Sequence, residues 1–160
     1  MKELFYPEHQ QLYDYWNEKR GNRFAPKRID IDPIDFPYLL PNLCIYKVHR
    51  DPLEYETTLM GTNIVSMWGV DYTGKYVKDI VLGPLYPSVK RHFDTMINEK
   101  KPTLHDLDAS WIDKDYIKYS RLMLPLSENG QDVDRILVCI VLQKKNHLIQ
   151  DVDHPSEKWV

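Results

Sequence analysis

The chain has 160 residues, of which 42% are hydrophobic and 28% charged, enough apolar material for one domain with a buried core. Its 21 Lys and Arg stand against 24 Asp and Glu, a net charge of −3, so the basic excess that displaces phosphate counterions on a nucleic acid is missing. The unusual entry in the composition is aromatic: 11 Tyr, 4 Trp and 4 Phe, rings that supply large contact area with a polar handle and suit cavities and interfaces.

Residues 1–42 read as a helix followed by a proline-punctuated connector. Pro7 suits the first helical position, Lys19 and Arg20 favour the negative end of the helix dipole, and Gly21 suits the residue just past the end. Leu12, Tyr15 and Trp16 fall at i, i+3 and i+4, one apolar stripe on a polar rod, and mark this helix as an interface element. From residue 22 to 42, Pro26, Pro33, Pro37 and Pro41 leave room only for a helical turn capped by Asp32. Ile31, Ile34, Phe36, Leu39 and Leu40 call for burial, and with Tyr38 they predict a packed connector.

Residues 43–143 read as the core. Strands are predicted over Leu43–His49 and Tyr55–Met60, joined by a turn at Asp51-Pro52. Thr62 is placed as the cap of a helix from Asn63 to Trp68 that Gly69 stops, and a further short stretch covers Lys75–Val81. Pro84 opens the strongest helix, where Leu85, Val89, Phe93, Met96 and Ile97 form an amphipathic stripe ending before Pro102. A half-buried strand follows, with His105, Leu107, Ala109 and Trp111 inward and Asp106, Asp108 and Ser110 on a wet face. Tyr116–Leu126 and Val133–Gln143 complete the strands across a hairpin at residues 127–130. Ile136–Leu142 is apolar on both faces, so that strand must be central and covered on both sides. Residues 144–160 form a polar surface tail in which Trp159 is a docking candidate.

This order predicts an α+β fold: a five-stranded antiparallel sheet with helices on one face and the N-terminal helix, or a second copy of the chain, on the other. The longest apolar run, seven residues, is far short of the roughly 20 a membrane helix needs, and the polar N-terminus has no signal-peptide core. The expectation is a soluble, cytoplasmic protein without membrane insertion or nucleic-acid binding. Neither a G-x-G-x-x-G nor a P-loop, H-E-x-x-H or G-x-S-x-G phrase occurs.

The element order resembles a PAS domain. Arg28-Ile29-Asp30-Ile31-Asp32-Pro33 followed by Leu40-Pro41 looks like the entry to the stand-alone PAS-like family abundant in alphaproteobacteria. So do Met60-Gly61-Thr62, the run from Gly69 to Lys75, and Leu124-Pro125-Leu126-Ser127. The resemblance implies a sensory or scaffolding module with a small pocket between helices and sheet and an outer face for docking. PAS domains take haem, flavin, small metabolites or nothing detectable, so the cofactor stays open. A light-sensing relative would carry Asn-Cys-Arg where this chain reads Gly61-Thr62-Asn63-Ile64, which argues against flavin-adduct photochemistry.

Trp68, His92, Phe93, Met96, His105, Trp111, Tyr119 and Arg121 are the candidate pocket residues. His92 borders the apolar stripe of its helix, as a haem ligand or as a boundary histidine bonded to a neighbour. His105 points inward, as a ligand contact or as a satisfied core group. Arg121 is a cation in mid-strand facing in, as a clamp for a carboxylate or phosphate or as one half of an internal ion pair. Asp106 and Asp108 face away from His105, so the three cannot chelate one metal from a regular strand. Asp151, Asp153 and His154 in the tail are a weak metal motif or ordinary solvated residues. Cys44 and Cys139 fit no metal spacing and read as small buried strand residues.

No catalytic residue or metal site is assigned. The leading function is a non-enzymatic sensor that binds a small molecule and signals to an unidentified protein, with a homodimer as one route. The alternatives are a ligand-free interaction adaptor and a small enzyme using His105 and Arg121.

Overall fold

A computed structural model describes residues 4–143 together with the backbone strand at 157–159. Helix α1 covers Pro7–Arg20, and three short 3-10 turns carry the connector, at Arg28–Asp30, Pro33–Asp35 and Pro37–Asn42. Strands β1 (Leu43–His49) and β2 (Glu54–Met60) lead into helices α2 (Thr62–Trp68), α3 (Val77–Ile80) and α4 (Tyr86–Glu99). Then come β3 (Thr103–Ala109), β4 (Lys114–Leu126), β5 (Arg135–Leu142) and the three-residue β6 (Glu157–Trp159).

The strands form one antiparallel sheet in the order β2-β1-β5-β4-β3-β6. The five expected strands are all present. The polar tail departs from expectation by adding a sixth, with Thr103 opposite Trp159 and His105 opposite Glu157. The edge of β3 otherwise offers unpaired backbone groups, which three residues can satisfy without any hydrophobic pattern to advertise them. The weak motif at Asp151, Asp153 and His154 lies outside the described residues.

Strand alternation divides the core into two. Leu122, Leu124 and Leu126 on β4, with Leu137, Cys139 and Val141 on β5, face α1 and the connector. Tyr119 and Met123, with Ile136, Val138 and Ile140, face α2, α3 and α4. The doubly apolar β5 is therefore central and covered on both sides, as its composition requires.

Helix α1 docks within its own chain. Leu12 and Trp16 are buried in the outer core, and the Trp16 indole Nε1 donates to the Pro125 carbonyl at 2.8 Å. His9 Nε2 is 3.1 Å from the Cys139 carbonyl, tying the helix to β5. Tyr15, half-buried, packs edge-on against Phe36 at 4.8 Å and donates its hydroxyl to Asp35 at 2.8 Å. The three expected interface residues thus contact the chain's own sheet and connector. Asp32 caps its turn as expected, accepting from the Ile34 amide at 3.1 Å. Ile31, Phe36 and Leu39 are buried, whereas Ile34 and Tyr38 are exposed, contrary to the packed connector the sequence suggested. A 3-10 turn repeats every three residues, so one short turn cannot bury all its apolar side chains on one face.

Two glycines fix the entry and exit of α2. The helix begins one residue earlier than expected, with Gly61 rather than Thr62 at the cap and no side-chain cap bond. A Cβ on Gly61 would overlap the carbonyl oxygens of Leu40 and Pro41, so the connector passes where only glycine leaves room. Gly69 ends the helix in the left-handed region at φ 81°. Among the described residues, no helix is long and apolar enough to cross a membrane.

Candidate functional site

Between the inner sheet face and α2, α3 and α4 lies a cavity of about 260 Å³. Six of the eight candidate residues line it: Trp68, His92, Phe93, Trp111, Tyr119 and Arg121. Met96 and His105 do not. Met96 is fully buried in the packing of α4 against the sheet, and His105 lies behind His92.

Strand β4 supplies the axis of the site. Tyr119 and Arg121 are successive inward positions, about 7 Å apart at the usual strand rise. Around Tyr119 gathers an aromatic group. Trp68 meets Tyr119 at 5.0 Å and Trp111 at 5.1 Å, both edge to face, and Tyr72 is 6.3 Å from Trp111. The Trp111 indole Nε1 donates to the Tyr119 hydroxyl at 3.1 Å. Trp111 itself is not a strand residue, contrary to the alternation reading. The β3–β4 register jumps between Asp108 and Ala109, and Ser110–Ile112 turn as a 3-10 helix, carrying the ring off the sheet and over the cavity.

Around Arg121 the site is polar and charged. The side chain is only 6% exposed, with its guanidinium carbon 5.5 Å from the Phe93 ring centre. Its Nη2 lies 3.1 Å from His92 Nδ1 and 3.3 Å from His105 Nδ1, one imidazole for each of its two hydrogens. The guanidinium has only donors, so both Nδ1 atoms accept and both Nε2 atoms carry the ring proton. The two imidazoles stack with centres 4.1 Å apart. Burial, and after it the Arg121 charge, depresses the His92 pKa to about 4 and that of His105 to about 2, so both rings are neutral at neutral pH. His105 Nε2 is buried without a hydrogen-bond partner among the described residues.

The Arg121 field extends over the surrounding wall. Burial pushes the Cys44 thiol up to about 12 and the Tyr46 and Tyr119 hydroxyls above their ordinary value. In all three the Arg121 charge acts in the opposite sense. Two carboxylates of β3 lie behind the wall, on the other face of the sheet from Tyr119 and Arg121. Asp108 is held by Lys118 at 3.5 Å and by the Ser110 amide at 3.0 Å. Asp106, placed on a wet face by its alternation, is buried, and its carboxylate accepts from Ser120 across the strand pair at 2.5 Å. A partner on the neighbouring strand made that burial affordable, and nothing in β3's own pattern announces it.

Sequence reasoning missed the apolar remainder of the lining. Tyr46, Met60 and Ile140 come from β1, β2 and β5, and Val77, Ile80, Val81, Leu85 and Val89 from the helical layer. The predicted amphipathic stripe did include Leu85 and Val89, although α4 starts only at Tyr86 and Leu85 stands in the 3-10 turn before it. The three sheet residues needed the strand order, which no single strand reveals.

The geometry bears on the two prosthetic groups that the resemblance raises. Haem needs a histidine lone pair directed at iron, but His92 Nδ1 takes the Arg121 hydrogen and its Nε2 is protonated. A flavin adduct needs a thiol beside the ring, and Cys44 and Cys139 are buried on strands without lining the cavity. The residues fit neither role.

The sequence pattern of the PAS domain family matches residues 4–141. No curated protein matches the chain significantly in sequence. Among solved structures, the fold is similar to a light-oxygen-voltage domain studied with a flavin analogue, at 9% identity and a TM-score of 0.53, covering 74% of this chain and 89% of that one. Matches with lower TM-scores include the PAS domain of Bordetella pertussis BvgS (0.49; 16% identity; 76% and 95% covered). A sensory box sensor histidine kinase from Vibrio cholerae is another (0.47; 14% identity; 89% and 100% covered). With a family pattern spanning nearly the whole described core and a PAS-type sheet and helical layer around the cavity, this chain belongs to the PAS domain family.

Proposed function

We propose that this PAS domain is a non-enzymatic sensory module that takes up a small molecule in the cavity beneath α2, α3 and α4 and passes its occupancy to a partner protein. PAS domains as a class are sensory modules, and the finer reading rests on one observation. The cavity of about 260 Å³ combines an aromatic wall with a buried guanidinium, the combination of apolar bulk and few polar anchors that marks small-molecule sites. An acid–base role for His105 gains no support, because the ring stands behind His92 with its Nδ1 engaged by Arg121. With Leu12 and Trp16 buried against their own sheet, contact with a partner or a second copy would use other surface.

Native mass spectrometry and an absorption spectrum of the purified chain test the reading. A co-purifying mass, or a melting temperature raised by small aromatic compounds, supports it. A clean apo mass with no such response overturns it in favour of a ligand-free adaptor.

A further inference from the structure

The cavity carries information about the chemistry of its occupant. We propose, resting on the small-molecule reading above, that the cavity is built for an aromatic carboxylate of one or two rings, with the ring among Trp68, Trp111 and Tyr119 and the carboxylate at Arg121.

Three observations lead there. The volume, about 260 Å³, exceeds the roughly 150 Å³ of an apolar cavity that accepts benzene, and falls below the 300–1,000 Å³ typical of drug-sized sites. One or two rings with a short substituent fit that window. The aromatic group and the guanidinium occupy adjacent inward positions of β4, about 7 Å apart, which a one- or two-carbon link between ring and carboxylate spans. The indole and phenol rings already meet edge to face at 5.0 Å and 5.1 Å, an arrangement that extends naturally to a further ring.

The charge of the occupant follows from the wall. Arg121 lines the cavity as a buried permanent cation able to give a carboxylate a charge-assisted hydrogen bond, and its neighbours His92 and His105 accept from Nη2 without adding positive charge.

Calorimetric titration of the full chain with phenylacetate and indole-3-acetate, each against its neutral primary amide, tests the proposal. The acids should bind at least tenfold more tightly than the amides, the scale of a charge-assisted hydrogen bond. Arg121→Gln should reduce the acids to the level of the amides and leave the amides unchanged, and Arg121→Lys should keep part of the preference. Val89→Phe, which fills the cavity from α4, should block acid and amide alike. Should Arg121→Gln fail to fold, the acid-to-amide ratio in the native chain and in Arg121→Lys still decides. Equal binding of acid and amide overturns the carboxylate assignment while the small-molecule reading stands, as does binding of indole without either acid. No binding of acids, amides or indole overturns both.

Discussion

The two faces of one sheet are filled in opposite ways. On the outer face, Leu12, Tyr13 and Trp16 of α1 meet Leu122, Leu124, Leu126 and Leu137 in an apolar core. On the inner face the same β4 presents Tyr119 and Arg121, and the helices above leave about 260 Å³ unfilled. The contrast teaches that packing is not uniform across the sheet: the outer face is filled side chain against side chain, and the inner face keeps the cavity that the proposed sensory role would use.

Breaking the outer face should cost most. Trp16→Ala removes a buried indole and its bond to the Pro125 carbonyl, and a urea titration should show a loss of about 3–5 kcal/mol. A loss below about 1 kcal/mol would mean α1 is an ornament rather than part of the core.

Acid should act on the inner face. An unfolded histidine takes up its proton near pH 6.5, whereas in the fold His92 does so near pH 4 and His105 near pH 2. The unfolded chain therefore binds more protons throughout that interval. The stability contributed by the neutral rings is complete above pH 6.5 and declines as the pH falls toward 4, with His105 continuing the decline below that. The groups facing them are Arg121 for both, Arg91 for His92 and each other. His105→Gln, whose amide oxygen can still accept from Arg121, should flatten the slope between pH 6.5 and 4 by about one proton; an unchanged slope would remove the histidine pair from the account.

Trp111→Ala should be milder than Trp16→Ala, about 1–2 kcal/mol, because the ring is half-exposed and borders a space that already exists. Equal losses at the two tryptophans would erase the distinction between the faces. Smallest of all, Leu82→Ser, at a residue 71% exposed in the loop between α3 and α4, should change stability by no more than about 0.5 kcal/mol in the same titration.

The extent to which these faces are legible in the chain varies residue by residue. The stripe of Leu12 and Trp16 marks a helix that must dock, and alternation along β4 turns Arg121 inward; both are local periodicities, and both appear in the structure. His105 and Met96 share the periodicity of pocket residues and yet stand behind it, because depth beneath a face is not a periodic property. Trp111 reaches the cavity through a register jump, and Asp106 is buried through Ser120 on a neighbouring strand. Ile34 and Tyr38 have the hydrophobicity of core residues and remain exposed, because short 3-10 turns have too narrow an inner side.

The sequence by itself determined the elements, their order, the double coverage of β5 and the inward cation, since each follows from residue type and spacing within one segment. Tertiary structure alone decided that α1 docks in cis, that the tail contributes a sixth strand, and that two histidines from α4 and β3 meet one arginine on β4. It also turned the aromatic excess into an arrangement, with Trp16 closing the outer core and Trp68, Trp111 and Tyr119 bordering an open space. These are contacts between segments far apart in the chain, and a period of two or of 3.6 residues carries no record of which segment will lie opposite.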